Sequence, residues 1–260
     1  MSSDKTLEIT LNGVDKTIAR KEIEYFGEHK ANDPKPLNTN IWFDRSMIQH
    51  MVELLKSEHA DGVRIYFVSD LAGGVPLKNS IVLVSTRAWG KNPDVPSGTY
   101  HQDYYNHSSA DVLFSNIKTI RGIVSHRATD NGMLLYNRCT KCTPDEEVQN
   151  TGNLHQLTRQ AAEQMVQSFG RRQISTTSEW FDLNLFQAFT DDKNIDGVRI
   201  YFATKTISTS QEGSDVFVLI KTVSGSAPGT HVDYFGSLGV KYQLADGGQD
   251  KGEMCPYSCN

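Results

Sequence analysis

The chain has 260 residues, of which 38% are hydrophobic and 22% charged, and its formal net charge at pH 7 is −5. This composition is typical of a folded globular protein, and the negative charge argues against a broad nucleic-acid-binding surface, which needs dense Lys and Arg. No apolar run approaches the ~20 residues of a membrane-spanning helix, and the first six residues contain no apolar signal segment. We therefore expect a cytoplasmic protein that binds neither nucleic acid nor membrane.

The first half of the sequence predicts a short N-terminal strand, then two helices and two strands. Residues 6–11 alternate as a short strand does, and Asp15 can then cap a helix. Asp44 ends a Trp-Phe-Asp triplet and can cap a second helix, because apolar residues follow it at helical spacing. Residues 61–67 alternate like a half-buried strand after an Asp-Gly turn, and residues 80–85 form a more continuously apolar strand.

The second half presents the same motifs in the same order. The heptapeptide Asp-Gly-Val-Arg-Ile-Tyr-Phe of residues 61–67 returns unchanged at residues 196–202. Trp-Phe-Asp triplets begin at positions 42 and 180, His-x-Asp-Tyr motifs at 101 and 231, and close cysteine pairs at 139 and 255. The spacing between matching motifs falls along the chain, which indicates a duplication with insertions in the surface loops of the first copy.

These patterns predict an α+β fold made by tandem duplication of a helix-helix-strand-strand unit. The first unit comprises residues 1–148, with an N-terminal strand and loop insertions, and the second comprises residues 149–260. Duplicated units of this kind usually pack about an approximate two-fold axis. We therefore expect a pseudo-two-fold dimer within one chain.

The Trp-Phe-Asp triplets, the Gly-Val-Arg-Ile-Tyr-Phe segments and the C-terminal Cys-Pro-Tyr-Ser-Cys resemble features of small uncharacterised bacterial proteins. Those proteins carry a Trp-Phe helix start, a Gly-Val-Arg-Ile-Tyr-Phe strand and a Cys-Pro-x-x-Cys-like tail. The resemblance covers most of both halves, although the first cysteine pair departs from it with Thr140-Lys141 as its spacer. It implies duplication and a bacterial, cytosolic setting, and it implies no activity.

The four cysteines are the first candidates for chemistry, and they form two close pairs: Cys139 with Cys142, and Cys255 with Cys259. Zn²⁺ takes four sulfur or nitrogen ligands, so the pairs could share one ion if the ends of the two halves meet. Otherwise each pair could bind an ion together with His101 or His231. The alternative is that the thiols are free or form two local disulfides.

The His-x-Asp-Tyr motifs are the second candidates, and they contribute His101 with Asp103 and His231 with Asp233. Residues two apart on a strand point the same way, so each His and Asp could bind a metal or act as a base and its orienting group. The alternative is a His–Asp hydrogen bond that holds a turn.

The arginines of the heptapeptides, Arg64 and Arg199, are candidates for anion binding because each lies beside a Tyr on which it could stack. The interpretation we favour is an outward, solvated Arg or one half of an ion pair within the chain. The two tryptophans of the Trp-Phe-Asp triplets are expected to anchor helix to sheet.

Three functions are compatible with these motifs. The preferred hypothesis is a non-catalytic binding or assembly module that contacts another protein or its own copies, because the repeated features are mainly structural. The second is a metal-dependent, hydrolytic enzyme that uses a repeated His-x-Asp near a cysteine-bound ion. The third is a sensor that holds an anion or other small ligand between the two arginines.

Overall fold

The computed structural model describes residues 8, 10–30, 39–69, 79–91, 98–105, 108–109, 134–137, 155–156, 176, 178–206, 213–235 and 253–255. The helices of these ranges are α1 (Lys16–Lys30), α2 (Arg45–Ser57) and α3 (Leu183–Asp191). The strands are β1 (Asn40–Asp44), β2 (Gly62–Ser69), β3 (Asn79–Lys91), β4 (Thr99–Tyr105), β5 (Ser108–Ser109), β6 (Leu134–Asn137), β7 (His155–Gln156), β8 (Ser178–Asp182), β9 (Gly197–Thr204), β10 (Asp215–Ser224), β11 (His231–Tyr234) and β12 (Glu253–Cys255). Helices combined with antiparallel sheets confirm the α+β class.

An aspartate begins each of the three helices named above. The carboxylates of Asp15, Asp44 and Asp182 each accept a hydrogen bond from a backbone N–H in the first turn of the following helix. The free N–H groups at a helix start need such an acceptor, and an aspartate placed just before the helix supplies it. The predicted caps Asp15 and Asp44 are confirmed, and so is the short helix predicted in the second half.

The strands form two antiparallel sheets. Sheet 1 has the order β1-β9-β10-β11, and sheet 2 has the order β12-β8-β2-β3-β4-β5. In sheet 2, β6 also pairs with β3, and β7 pairs with β6. Each heptapeptide strand, β2 or β9, is therefore the inner neighbour of a longer apolar strand, β3 or β10.

The two Trp-Phe-Asp strands each lie beside the heptapeptide of the other half of the chain. Strand β1 pairs with β9, with Asp44 opposite Gly197, and β8 pairs with β2 in the same register, with Asp182 opposite Gly62. We call β1 and β8 the exchanged strands. The sequence predicted these triplets only as helix starts, so the predicted helix-helix-strand-strand unit omitted a strand in each half.

The apolar faces of both sheets share one core. Alternate residues of β2 and β9 point into it, as the two-residue period of a strand requires, and the ring of Phe67 stacks on that of Phe217 with centroids 3.9 Å apart. The buried faces of α2 and α3 belong to the same core, and the two helices pack on each other. The fully buried side chains of β2 and β9 that face this core are Val63, Ile65, Phe67, Val198, Ile200 and Phe202.

Helix α1 covers the opposite face of sheet 1. Its Ala19 packs with Ala203 of β9 and with apolar residues of β10 in a second, smaller cluster. The inner strands β9 and β10 of sheet 1 are therefore covered on both faces, which agrees with the continuous burial of β10 from Asp215 to Thr222.

Candidate functional site

His101 lies at the centre of a closed group of four side chains. Its Nδ1 lies 2.8 Å from Oδ2 of Asp61, and Oδ1 of Asp61 accepts a hydrogen bond of 2.6 Å from the hydroxyl of Thr86. The indole N–H of Trp180 donates to Oγ1 of Thr86 at 2.8 Å, and the indole stacks on the imidazole with ring centroids 3.5 Å apart. We call these residues the first Trp–His network. Its Trp comes from an exchanged strand, and its other members come from the first half.

His231 is the centre of a matching group. Its Nδ1 lies 2.8 Å from Oδ2 of Asp196, whose Oδ1 accepts a hydrogen bond of 2.6 Å from the hydroxyl of Thr222. The indole N–H of Trp42 donates to Oγ1 of Thr222 at 2.9 Å, and the indole stacks on the imidazole at 3.8 Å between centroids. In this second Trp–His network the Trp is again supplied by the other half of the chain.

A glycine lies beneath each indole because no larger residue fits there. A Cβ placed on Gly62 would lie 2.6 Å from Nε1 of Trp180, and one placed on Gly197 would lie 2.5 Å from Cε2 of Trp42. Real Cβ atoms do not come this close to their neighbours. Both glycines begin strands and neither has a positive φ, so the expected Asp-Gly turn was wrong. The glycine permits close approach of the indole to the strand backbone.

The second feature of the first half is a buried ion pair. Nε of Arg64 donates to Oδ1 of Asp103 at 2.8 Å, and the hydroxyl of Tyr66 donates to Oδ2 at 2.6 Å. The guanidinium also donates to the backbone carbonyl of His101. The side chains of Arg64 and Asp103 are both 0% exposed, and a buried charge is tolerable only when paired in this way.

The second half has the same arrangement nearer the surface. Arg199 donates to Asp233 and, at 2.9 Å, to the backbone carbonyl of His231, while the hydroxyl of Tyr201 donates to Asp233 at 2.7 Å. Burial raises the pKa of Tyr201 above its ordinary value, and the negative charge of Asp233 adds to the increase. A groove of about 310 Å³ between α1 and sheet 1 reaches Tyr201 and Asp233, and the Asp233 side chain is 23% exposed.

The structure separates the predicted His-x-Asp pairs. His101 contacts Asp61, whereas Asp103 contacts Arg64 and Tyr66, although both residues lie on β4. The catalytic role proposed for these pairs stays a prediction. Sequence reasoning missed the aspartates that contact the histidines, although both open the repeated heptapeptide. They were interpreted only as turn residues, because a local role was sufficient to explain them.

The two arginines lie on different sheets, and both side chains point away from the shared core. Arg64 alternates with core residues of β2, and Arg199 does so with core residues of β9. The structure therefore does not bring them together, and each pairs with an aspartate of its own half. This is the ion pair that the sequence favoured, and anion binding by the arginines stays a prediction.

The cysteine hypothesis concerns residues that the structure does not describe in full. Cys139, Cys142 and Cys259 lie outside the described residues, and of Cys255 only the backbone is described, opposite Ser178 in the pairing of β12 with β8. Within the described ranges, no group of three or more His, Cys, Asp or Glu side chains could hold a metal ion. Zinc binding by the four cysteines stays a prediction.

Comparisons with known proteins identify no relative of this chain. No family model, no curated protein and no solved structure matches the chain. The resemblance to small bacterial proteins therefore stays an expectation. Among the helices in the described part of the chain, none combines the length and the apolar character needed to cross a membrane.

Proposed function

We propose that the protein is a non-catalytic binding or assembly module made of two homologous units, and that it contacts another protein or further copies of itself. The observation that carries this proposal is that the repeated polar residues are engaged in contacts within the chain. The histidines, aspartates and arginines common to both halves contact one another within their own half. The exchanged tryptophans link the two halves through the Thr and His of each network.

The environment of His101 supports a structural role over a catalytic one. The residue is 5% exposed, its ring is covered by Trp180 and its Nδ1 is engaged by Asp61. A general base has to come within about 3 Å of the proton that it removes from a substrate. The same argument applies to Asp103, which is 0% exposed and paired with Arg64.

Matching contacts in the two halves support an origin by duplication. In each network a Gly, a Thr, an Asp and a His receive a Trp from the other half, with equal strand registers. In a two-fold dimer each subunit makes the same contact with its partner. Tandem duplication of the gene for such a subunit would therefore give this arrangement within one chain. We propose that the two units are related by such a pseudo-two-fold axis.

Exposed apolar side chains support a protein partner. Trp89 on β3 is 58% exposed, and Val232 and Tyr234 on β11 are 54% and 42% exposed. Aromatic residues are enriched in protein interfaces and often contribute most of the binding energy. The net charge of −5 supports such a partner over nucleic acid. A cytoplasmic location is part of the same proposal.

The proposal is tested by measuring association of the full chain and of two surface variants. Sedimentation velocity over a wide concentration range reports self-association, and affinity capture followed by titration with the purified candidate reports a partner. Trp89→Ser and Val232→Ser should weaken one of these associations at least ~10-fold, whereas Tyr25→Ser on α1 should leave it unchanged. A chain that stays monomeric and binds no protein saturably would overturn the proposal.

A further inference from the structure

We propose that the site occupied by each exchanged strand also accepts a Trp-Phe-Asp strand from a second copy of this chain. The chain would then assemble by exchanging these strands between copies. This inference rests on the proposed assembly function and adds a second contact between copies, distinct from the exposed side chains of β3 and β11. The site in the second half, which we call the acceptor, consists of the edge of β9 with Gly197, Thr222 and His231.

The polar contacts of the donor segment lie largely in the acceptor half. Residues 40–44 pair with β9 along their whole length, and the next backbone N–H, that of Arg45, donates to the carbonyl of Asp196 at 2.7 Å. The guanidinium of Arg45 donates to the carbonyls of Thr190 at 2.6 Å and Ile195 at 3.1 Å. These carbonyls lie at the end of α3 and in the connection to β9. The donor is therefore held by residues about 150 positions away in the sequence.

The acceptor selects a tryptophan by three independent features. The absence of a Cβ on Gly197 makes room for the indole, the hydroxyl of Thr222 accepts the indole N–H, and the ring of His231 stacks on the indole face. Phenylalanine would lack the N–H, and a smaller residue would leave the imidazole face uncovered. These features recognise a side chain and a strand, and none of them requires that the strand belongs to the same chain.

A donor from another copy would make the same contacts as the covalently linked one. Linkage within one chain favours the internal donor through its high effective concentration, which for flexible connections is about millimolar. Exchange between copies is therefore expected to need partial opening and to increase with protein concentration. A reciprocal exchange between two copies fills every acceptor and closes with two-fold symmetry, so the expected product is a dimer.

The test combines two full-length variants with complementary defects. Trp42→Ala removes the indole of the first donor and leaves the acceptor intact. Gly197→Val blocks the acceptor and leaves the donor intact. The two variants, carrying different tags, are mixed in urea below their unfolding midpoints, returned to buffer and analysed by affinity capture and light scattering. The control is a mixture of two differently tagged Trp42→Ala chains. Only the mixture of Trp42→Ala with Gly197→Val contains both an intact donor and an open acceptor. A heterodimer at least ~10-fold more abundant in that mixture than in the control supports the inference. Monomers alone in both mixtures overturn it.

Two further measurements keep the test decisive. If Trp42→Ala or Gly197→Val does not fold, two tagged wild-type chains are treated in the same way, and dimers carrying both tags that persist after dilution support exchange. Their absence overturns it. The failure of this inference is distinct from failure of the proposed function. Association that is unaffected by Trp42→Phe and lost with Trp89→Ser would keep an assembly module and overturn strand exchange as its mechanism.

Discussion

Replacing Gly197 by alanine should destabilise the protein through a single methyl group. The new Cβ would lie 2.5 Å from Cε2 of Trp42 and 2.5 Å from the backbone oxygen of Phe43. The indole cannot move away freely, because it stacks on His231 and donates to Thr222. The backbone oxygen is fixed by its strand. The exchanged strand β1 therefore has to shift as a whole.

The magnitude follows from the contacts that such a shift disturbs. Inserting a methyl group into a closely packed site costs about 1–3 kcal/mol. Weakening the hydrogen bond from the indole N–H to Thr222 adds about 1 kcal/mol. We expect a loss of about 2–4 kcal/mol in the free energy of unfolding, which leaves a domain of ordinary stability still folded.

Urea unfolding followed by circular dichroism measures this loss, and two other glycines provide comparisons. Gly62→Ala should give a loss of similar size, because its Cβ would lie 2.6 Å from Trp180 in the first network. Gly27→Ala on α1 is the control, since nothing lies within 4 Å of its Cβ, and it should stabilise the helix by about 0.5–1 kcal/mol. A Gly197→Ala protein within about 0.5 kcal/mol of wild type would refute the close approach of the indole.

Three further predictions concern the polar contacts. Thr222→Val should lower the free energy of unfolding by about 1–2 kcal/mol, because the indole N–H of Trp42 loses its acceptor; an unchanged urea midpoint would contradict this contact. Asp103→Asn should lower the free energy of unfolding by about 3–5 kcal/mol, since it leaves the buried charge of Arg64 unpaired. The double change Arg64→Met with Asp103→Leu should lower it by less than that single change. A double variant less stable than Asp103→Asn would argue against a buried pair. Because burial raises the pKa of Tyr201, the folded protein keeps this proton where the unfolded chain loses it, so stability should fall as the pH rises above about 10. Tyr201→Phe should reduce that fall, as measured by urea unfolding at about pH 9 and 11, and an equal fall in both proteins would count against the raised pKa.

Features with a local physical cause could be predicted from the sequence. Asp15 and Asp44 were identified as helix caps, because a carboxylate followed by apolar residues at helical spacing is sufficient to begin a helix. The heptapeptide strands were predicted for the same reason, since alternation of apolar and polar residues is visible within seven positions. The expected half-burial was wrong for β2, because its Arg64 and Tyr66 are buried as well.

Features that depend on contacts between distant residues could not be predicted. A five-residue strand such as β1 has too few positions to show a clear period, and its partner β9 lies in the other half of the chain. The aspartates at the start of the heptapeptides have an adequate local explanation as turn residues, which concealed their contacts with the histidines. The glycines after them were interpreted as turn residues for the same reason. Only the pairing of strands reveals that an indole occupies the space above each glycine.

In this fold a tryptophan of each half packs against the other half. Nuclear Overhauser contacts of the Trp42 indole N–H test this packing most directly. This resonance is identified by its disappearance in Trp42→Phe. This arrangement predicts contacts from it to Thr222, whose Oγ1 lies 2.9 Å from the indole nitrogen, and to Gly197, where an added Cβ would lie 2.4 Å from that nitrogen. Contacts to Gly62 and Thr86 in its own half would contradict the pairing of β1 with β9.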